Sequence, residues 1–153
     1  MPKITVADTS CLILLNKIGQ LELLKKLFGQ LTITQTVADE FNINKPLPNW
    51  INVVAFNSSE IKGLASFLDL GEATSIALAS THEDSLLIID ENKGRKVAKE
   101  MGIQITGSLG IFVTAKQKGY IEAVKPILEE IKRTNFRISE NLIQVVLEKV
   151  NES

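Results

Sequence analysis

Short apolar runs alternate with stretches of helical periodicity from the first residues to about residue 118, the pattern of strands joined by crossover helices. Lys3 to Ser10 opens the chain as a strand. Ile4, Val6 and Ala7 suit a buried position, and Asp8 falls where the apolar residues run out. Cys11 to Ile18 is apolar all round, which predicts a helix buried on two sides and stopped at Gly19. Leu21 to Phe28 begins a second helix, with Leu21, Leu24, Lys25 and Phe28 at helical spacing and Gly29 as its stop. The strand Leu31 to Thr34 leads into the helix Thr36 to Phe41, where Val37 and Phe41 share a face and Glu40 projects beside it. Residues 42–49 hold Pro46 and Pro48 and are expected to be irregular, and Trp50 to Phe56 reads as a minor or edge strand.

The second half repeats the scheme. Ser58 or Ser59 is expected to cap a helix carrying Ile61, Leu64, Ala65 and Leu68, and Asp69-Leu-Gly-Glu-Ala-Thr opens another whose Ala73, Ile76, Ala77 and Ala79 pack closely on a sheet. Leu86 to Ile89 is a central parallel strand that ends at Asp90 and Glu91. A basic helix, Lys93 to Met101, stops at Gly102; a short strand, Ile103 to Ile105, follows; and the turn Thr106 to Gly110 enters the helix Ile111 to Lys118. Two amphipathic helices, about 122–134 and 139–150, complete the chain. The expected fold is α/β, a mostly parallel sheet with helices on both faces, in one domain over residues 1–153. Leu142, Ile143, Val145, Val146, Leu147 and Val150 cover more than one helix face, and with the apolar Cys11 to Leu15 they predict a homodimer.

Composition narrows the partners. Seventeen Lys and Arg against 18 Asp and Glu give a formal charge of −1, so no global basic field exists and any nucleic-acid contact must be local. The one cysteine, Cys11, excludes an intrachain disulfide and reads as a small core residue. No apolar run approaches the roughly 20 residues of a membrane span, and a soluble cytoplasmic protein away from membranes is expected.

Four carboxylates stand at comparable places. Asp8 and Asp90 follow apolar strands, and Glu40 and Glu72 lie on helices bordering the same sheet edge. Each has an ordinary explanation alone: Asp8 and Asp90 as helix caps, Glu72 as a first-turn acid favoured by the helix dipole, Glu40 as a solvated residue. Together they converge where open α/β sheets bind ligands, and like charges crowded there call for a cation. Oxygen ligands without His or Cys point to Mg²⁺ or Mn²⁺ and to phosphate chemistry. His82, the only histidine, sits in a polar helix end and is not needed. Lys93, Arg95, Lys96 and Lys99 follow Asp90 directly and are candidates to hold a phosphate backbone, or equally an ordinary solvated helix face.

Asp8-Thr9-Ser10 after the first strand, Val37 with Glu40, Glu72 on a middle helix and Asp90 after a buried strand resemble the PIN-domain nucleases in order and spacing. Gly71-Glu72-Ala73, Leu87 to Asp90, Gly94-Arg95, Thr106 to Gly110 and Phe136-Arg137-Ile138-Ser139 are similar to a VapC-like subgroup associated with toxin–antitoxin pairs. The resemblance implies a three-layer α/β/α domain, Mg²⁺- or Mn²⁺-dependent cleavage of RNA, dimerisation and a cognate antitoxin protein. It makes Asp8, Glu40, Glu72 and Asp90 the catalytic and metal-binding acids, with Thr9 and Ser10 in support, Ser10 through a hydrogen bond to Asp8. The family commonly has Asp where this chain has Glu72. The subgroup often has a second Asp where this chain has Glu91, which leaves Asp90 or Glu91 as the fourth ligand, with Asp90 favoured because it terminates the apolar strand.

Other metal-binding α/β classes fit less well. A receiver domain needs an acidic pair after the first strand, a haloacid-type phosphatase needs an acid where Ser10 stands, and no glycine-rich phosphate loop follows the strand. A scaffold of the same fold that binds RNA or protein without cutting is the alternative from a different class.

Overall fold

The structure, a computed structural model, describes residues 2–42 and 45–153; of the irregular segment expected at 42–49, Ile43 and Asn44 lie outside the described residues. Five strands, β1 (Ile4–Ala7), β2 (Leu31–Thr34), β3 (Ile51–Val54), β4 (Ser85–Ile88) and β5 (Gln104–Thr106), form a parallel sheet in the order β3-β2-β1-β4-β5. The chain winds outward from β1 to β3, then returns to pair β4 with the other side of β1. The carboxyl ends of β1 and β4 therefore flank the switch point, where a doubly wound sheet leaves a crevice.

Alternation along the strands divides the core into two. Val6, Leu87 and Ile89 face one layer with α4 (Ser59–Leu64), α5 (Leu70–Ser80) and α6 (Asn92–Glu100). Ala7, Leu31, Ile33 and Ile88 face the other, with α1 (Thr9–Lys17), α2 (Glu22–Phe28), α3 (Gln35–Phe41), α7 (Ser108–Gln117), α8 (Lys125–Lys132) and α9 (Glu140–Lys149). This is the three-layer α/β/α arrangement, and the period of two that produces it is set by the pleat. None of the helices is long and apolar enough to cross a membrane, among the described residues.

Several boundaries differ from expectation for local reasons. The first C-terminal helix starts at Lys125 instead of residue 122, with a proline in its first turn where the missing N–H costs nothing. α7 begins at Ser108, taking in most of the segment expected to be a turn. The C-terminus explains part of this tail: the Glu152 carboxylate accepts the N–H groups of Val124 (2.8 Å) and Lys125 (2.9 Å) and the Lys116 ammonium (2.9 Å), fastening the chain end to the start of α8. Burial works against its charge, but the Val124 and Lys116 hydrogen bonds outweigh it and hold the group below its ordinary range.

The apolar surplus expected on Cys11 to Leu15 is mostly internal. Cys11, Leu12, Leu14 and Leu15 are buried and only Ile13 is exposed, at 43%. Ile143, Val146, Leu147 and Val150 likewise join the core, leaving Leu142 (43%) and Val145 (41%) on the surface.

α6 lies so close to β4 that a Cβ on Gly94 would come 2.6 Å from Ile89 Cδ1, a fully buried side chain. Overpacking of this kind costs about 1–3 kcal/mol, against roughly 1 kcal/mol gained in helix propensity. Gly94→Ala is therefore expected to lower the urea midpoint, and a midpoint at or above the parent value would show that Ile89 yields freely.

Candidate metal-binding acidic cleft

Register sets the two strand-end acids. Ala7 pairs with Ile88, so Asp8 leaves β1 beside the end of β4, its N–H donating to the Ile88 carbonyl at 3.0 Å. Ile89 in turn donates to Thr106 at 2.9 Å, which keeps Asp90 at the same edge. Asp8 then passes directly into α1 and is only 4% exposed.

The remaining acids arrive on helices fixed by caps. Thr34, level with Asp8 across the sheet, accepts the Val37 N–H at 3.2 Å and hydrogen-bonds Thr74 at 2.9 Å, so α3 starts at a defined angle to α5. Near the end of α3, Glu40 accepts the Thr9 hydroxyl at 2.5 Å. α5 opens with a capping box: Asp69 Oδ1 accepts the Glu72 N–H at 2.8 Å and Glu72 Oε1 accepts the Asp69 N–H at 3.2 Å. Glu72 is thereby held at 5% exposure. A Cβ on Gly71 would overlap the Glu40 carboxylate, so glycine at that position is what lets Glu40 reach the start of α5.

Asp90 is the most tightly held. Its Oδ1 accepts the Ser108 N–H at 2.7 Å and its Oδ2 the Ser108 hydroxyl at 2.6 Å. A carboxylate from after β4 thus sits at the N-terminus of α7, where the N-cap residue, Gly107, has no side chain to offer. A Cβ there would lie 2.9 Å from Asp90 Oδ1 and 3.0 Å from Arg95 Nη1, so any larger residue would push on the two side-chain ends that meet at this point. Arg95 is pinned in turn, donating to the Ile89 carbonyl at 2.8 Å.

Asp8, Glu40, Glu72 and Asp90 all line one open cleft of about 1450 Å³, together with Thr9, Ser10, Glu91 and Arg95. Asp69 also lines it, an acid that sequence reading treated only as the start of a helix. Ser108 was missed as well; no residue type or spacing within Thr106 to Gly110 shows that it meets an aspartate 18 positions away. Among the described residues Ser10 makes no hydrogen bond to Asp8, and it is Thr9 that braces an acid, Glu40. Lys93 donates to the Phe67 carbonyl at 3.2 Å, and of the four α6 cations only Arg95 lines the cleft. His82 is exposed beside Thr81, and Cys11 is a buried free thiol.

Crowding shows in the acids' chemistry. Burial, opposed by the Thr9 backbone amide and reinforced by the charges of Asp69, Glu72 and Glu40, pushes Asp8 up to about 7. Burial and the Asp69 charge raise Glu72 too. Among the described residues, no three acids stand close enough as arranged to hold one ion. The donor set nonetheless fits a hard divalent cation: all oxygen, anionic, and converging on one crevice whose mutual repulsion such a cation would relieve.

A parallel, doubly wound sheet with carboxylates gathered at its switch point defines an α/β protein with an acidic cleft where such sheets bind their ligands. The model of a family described as a PIN domain matches residues 4–152, and the chain belongs to that family. PIN domains are generally nucleases, which makes the class a hydrolase. Comparison with curated proteins and with solved structures gives no match.

Proposed function

We propose that the protein is a Mg²⁺- or Mn²⁺-dependent endoribonuclease that hydrolyses RNA phosphodiester bonds in the cytoplasm. The observation that carries this reading is the meeting of Asp8, Glu40, Glu72 and Asp90 in one cleft on a PIN-domain fold. These four would hold the ion, with Glu91 as the alternative to Asp90. When bound, the cation would supply neutralisation of the charge developing on the phosphate and would make a bound water more acidic than one in bulk solvent. The chain's part is to hold the oxygens still. Ser108 orients Asp90, the Asp69 capping box orients Glu72, and Thr9 orients Glu40. Arg95, half-buried and fixed by the Ile89 carbonyl, places a guanidinium beside the acids as a counter-charge for a phosphate.

We further assign it as the toxin of a toxin–antitoxin pair, acting as a homodimer. The exposed Ile13, Leu142 and Val145, which share the cleft, support apolar contact with a second chain, either its own copy or the antitoxin. Purified protein freed of any inhibitor should cut RNA from a total cellular pool when given Mn²⁺ and should sediment as a dimer at high micromolar concentration. No cleavage under those conditions overturns the nuclease and leaves the binding scaffold.

A further inference from the structure

The acids account for one part of the cleft and leave its other wall unexplained. Asp8, Glu40, Asp69, Glu72, Asp90 and Glu91 all come from the strand ends and the helices beside them. Glu140 and Glu148 lie outside the lining, and the residues of 135–149 that line the cleft include no acid and two cations, Arg137 and Lys149. Among the described residues neither makes an ion pair, whereas Lys116, Lys132 and Arg133 nearby are paired with Glu152, Glu129 and Glu130.

Arg137 is held out by its neighbours. Phe136 and Ile138 on either side pack against the core, so the residue between them projects from the segment, and Ser139 begins α9 by accepting the Leu142 N–H at 3.1 Å. The Phe136-Arg137-Ile138-Ser139 motif thus reads physically as two anchors, an outward cation and a cap. Arg137 also borders a second, smaller cavity of about 320 Å³ lined by residues of the same segment, which puts it on the rim where a strand leaving the cleft would pass. Leu142, Val145, Val146 and Lys149 follow at helical spacing along one face of α9, so Lys149 continues the line from Arg137.

A polyanion in this cleft meets six carboxylates on one side, where Arg95 is the one cation in the lining, so further attraction for its backbone falls to the other wall. We propose that Arg137 and Lys149 hold the phosphate backbone of single-stranded RNA along the 135–149 wall, so that the strand runs from there to the acids, and that Lys96 and Lys99 of α6 do not. The inference rests on the ribonuclease reading and adds the path that the substrate takes.

The test uses the full chain carrying Asp8→Asn, which keeps the strand intact, with a fluorescein-labelled mixed-sequence 12-nucleotide RNA in Mg²⁺ and anisotropy as the readout. Arg137→Gln with Lys149→Gln should weaken binding about tenfold at low salt and lessen the salt slope by roughly 1.4, two single-strand phosphate contacts. Lys96→Gln with Lys99→Gln should leave both nearly as they were. Equal affinity in the Arg137/Lys149 variant, or a larger loss in the Lys96/Lys99 variant, overturns the proposal while the nuclease reading stands. Unchanged affinity with an altered monomer–dimer balance overturns it in favour of a protein contact at this wall. If the unsubstituted chain neither binds nor cuts RNA in Mg²⁺, the ribonuclease reading falls and takes this path with it.

Discussion

Asp8→Asn is expected to raise the melting temperature of the metal-free protein at pH 8 and to flatten its dependence on pH. The sign follows from linkage. In the unfolded chain Asp8 titrates near 4, and in the fold it is pushed to about 7, mainly by burial and with the charges of Asp69, Glu72 and Glu40 adding to it. Below about pH 4 both states hold the proton and the residue contributes nothing to the balance. Between the two values the native state alone keeps the proton, so stability falls as pH rises. Above about 7 the full penalty is present, on the order of 3–5 kcal/mol for a shift of this size at a residue only 4% exposed. Asparagine has the same shape without the charge and removes that penalty. Melting curves in EDTA at pH 5 and pH 8 decide the matter: parallel pH slopes for the two proteins would mean that the acids around Asp8 do not burden the fold. Added Mg²⁺ or Mn²⁺ should reverse the order, stabilising the parent through binding linkage and the variant much less.

The fold was legible because strand length and helix period carry it. Alternation in Ile4 to Ala7 and the buried run ending at Asp90 are local patterns, and they set the parallel sheet and the two strand-end acids. What was not legible depends on approach between elements remote in sequence. Gly71 and Gly107 look like turn glycines, yet neither has a positive φ; each is small because a carboxylate from another element occupies the space a Cβ would need. Ser108 likewise looks like any helix start until Asp90 is beside it. The α6 cations mislead for a related reason. A basic helix shows its charges in sequence but not its rotation, and α6 is turned so that Arg95 enters the cleft while Lys93 bonds the Phe67 carbonyl. The apolar surplus on Cys11 to Leu15 and on α9 was overcounted because sequence cannot distinguish a face against the molecule's own core from one against a partner.

The largest effect expected is on turnover. Asp8→Asn and Asp90→Asn should each lower kcat by about 10²-fold or more, with KM for RNA little changed, because a charged oxygen that helps hold the ion acts chiefly on the charge developing in the transition state. Asparagine is the informative replacement at Asp90. It keeps an oxygen for the Ser108 N–H, so a loss of activity cannot be assigned to an unsatisfied helix start. Ser108→Ala should show an intermediate loss, about 10- to 100-fold, since it leaves the Asp90 charge in place and removes only the hydroxyl that orients Oδ2. The order of the three variants separates the two accounts of Asp90. If Asp90 were only the cap of α7, Asp90→Asn and Ser108→Ala would lower the melting temperature together and leave the kcat of the folded fraction alone. If Asp90 holds the ion, kcat falls at temperatures well below any melting, and it falls further for Asp90→Asn than for Ser108→Ala. Turnover by Asp90→Asn equal to the parent, with Glu91→Gln inactive, would instead move the fourth ligand one residue along, to the exposed carboxylate that opens α6.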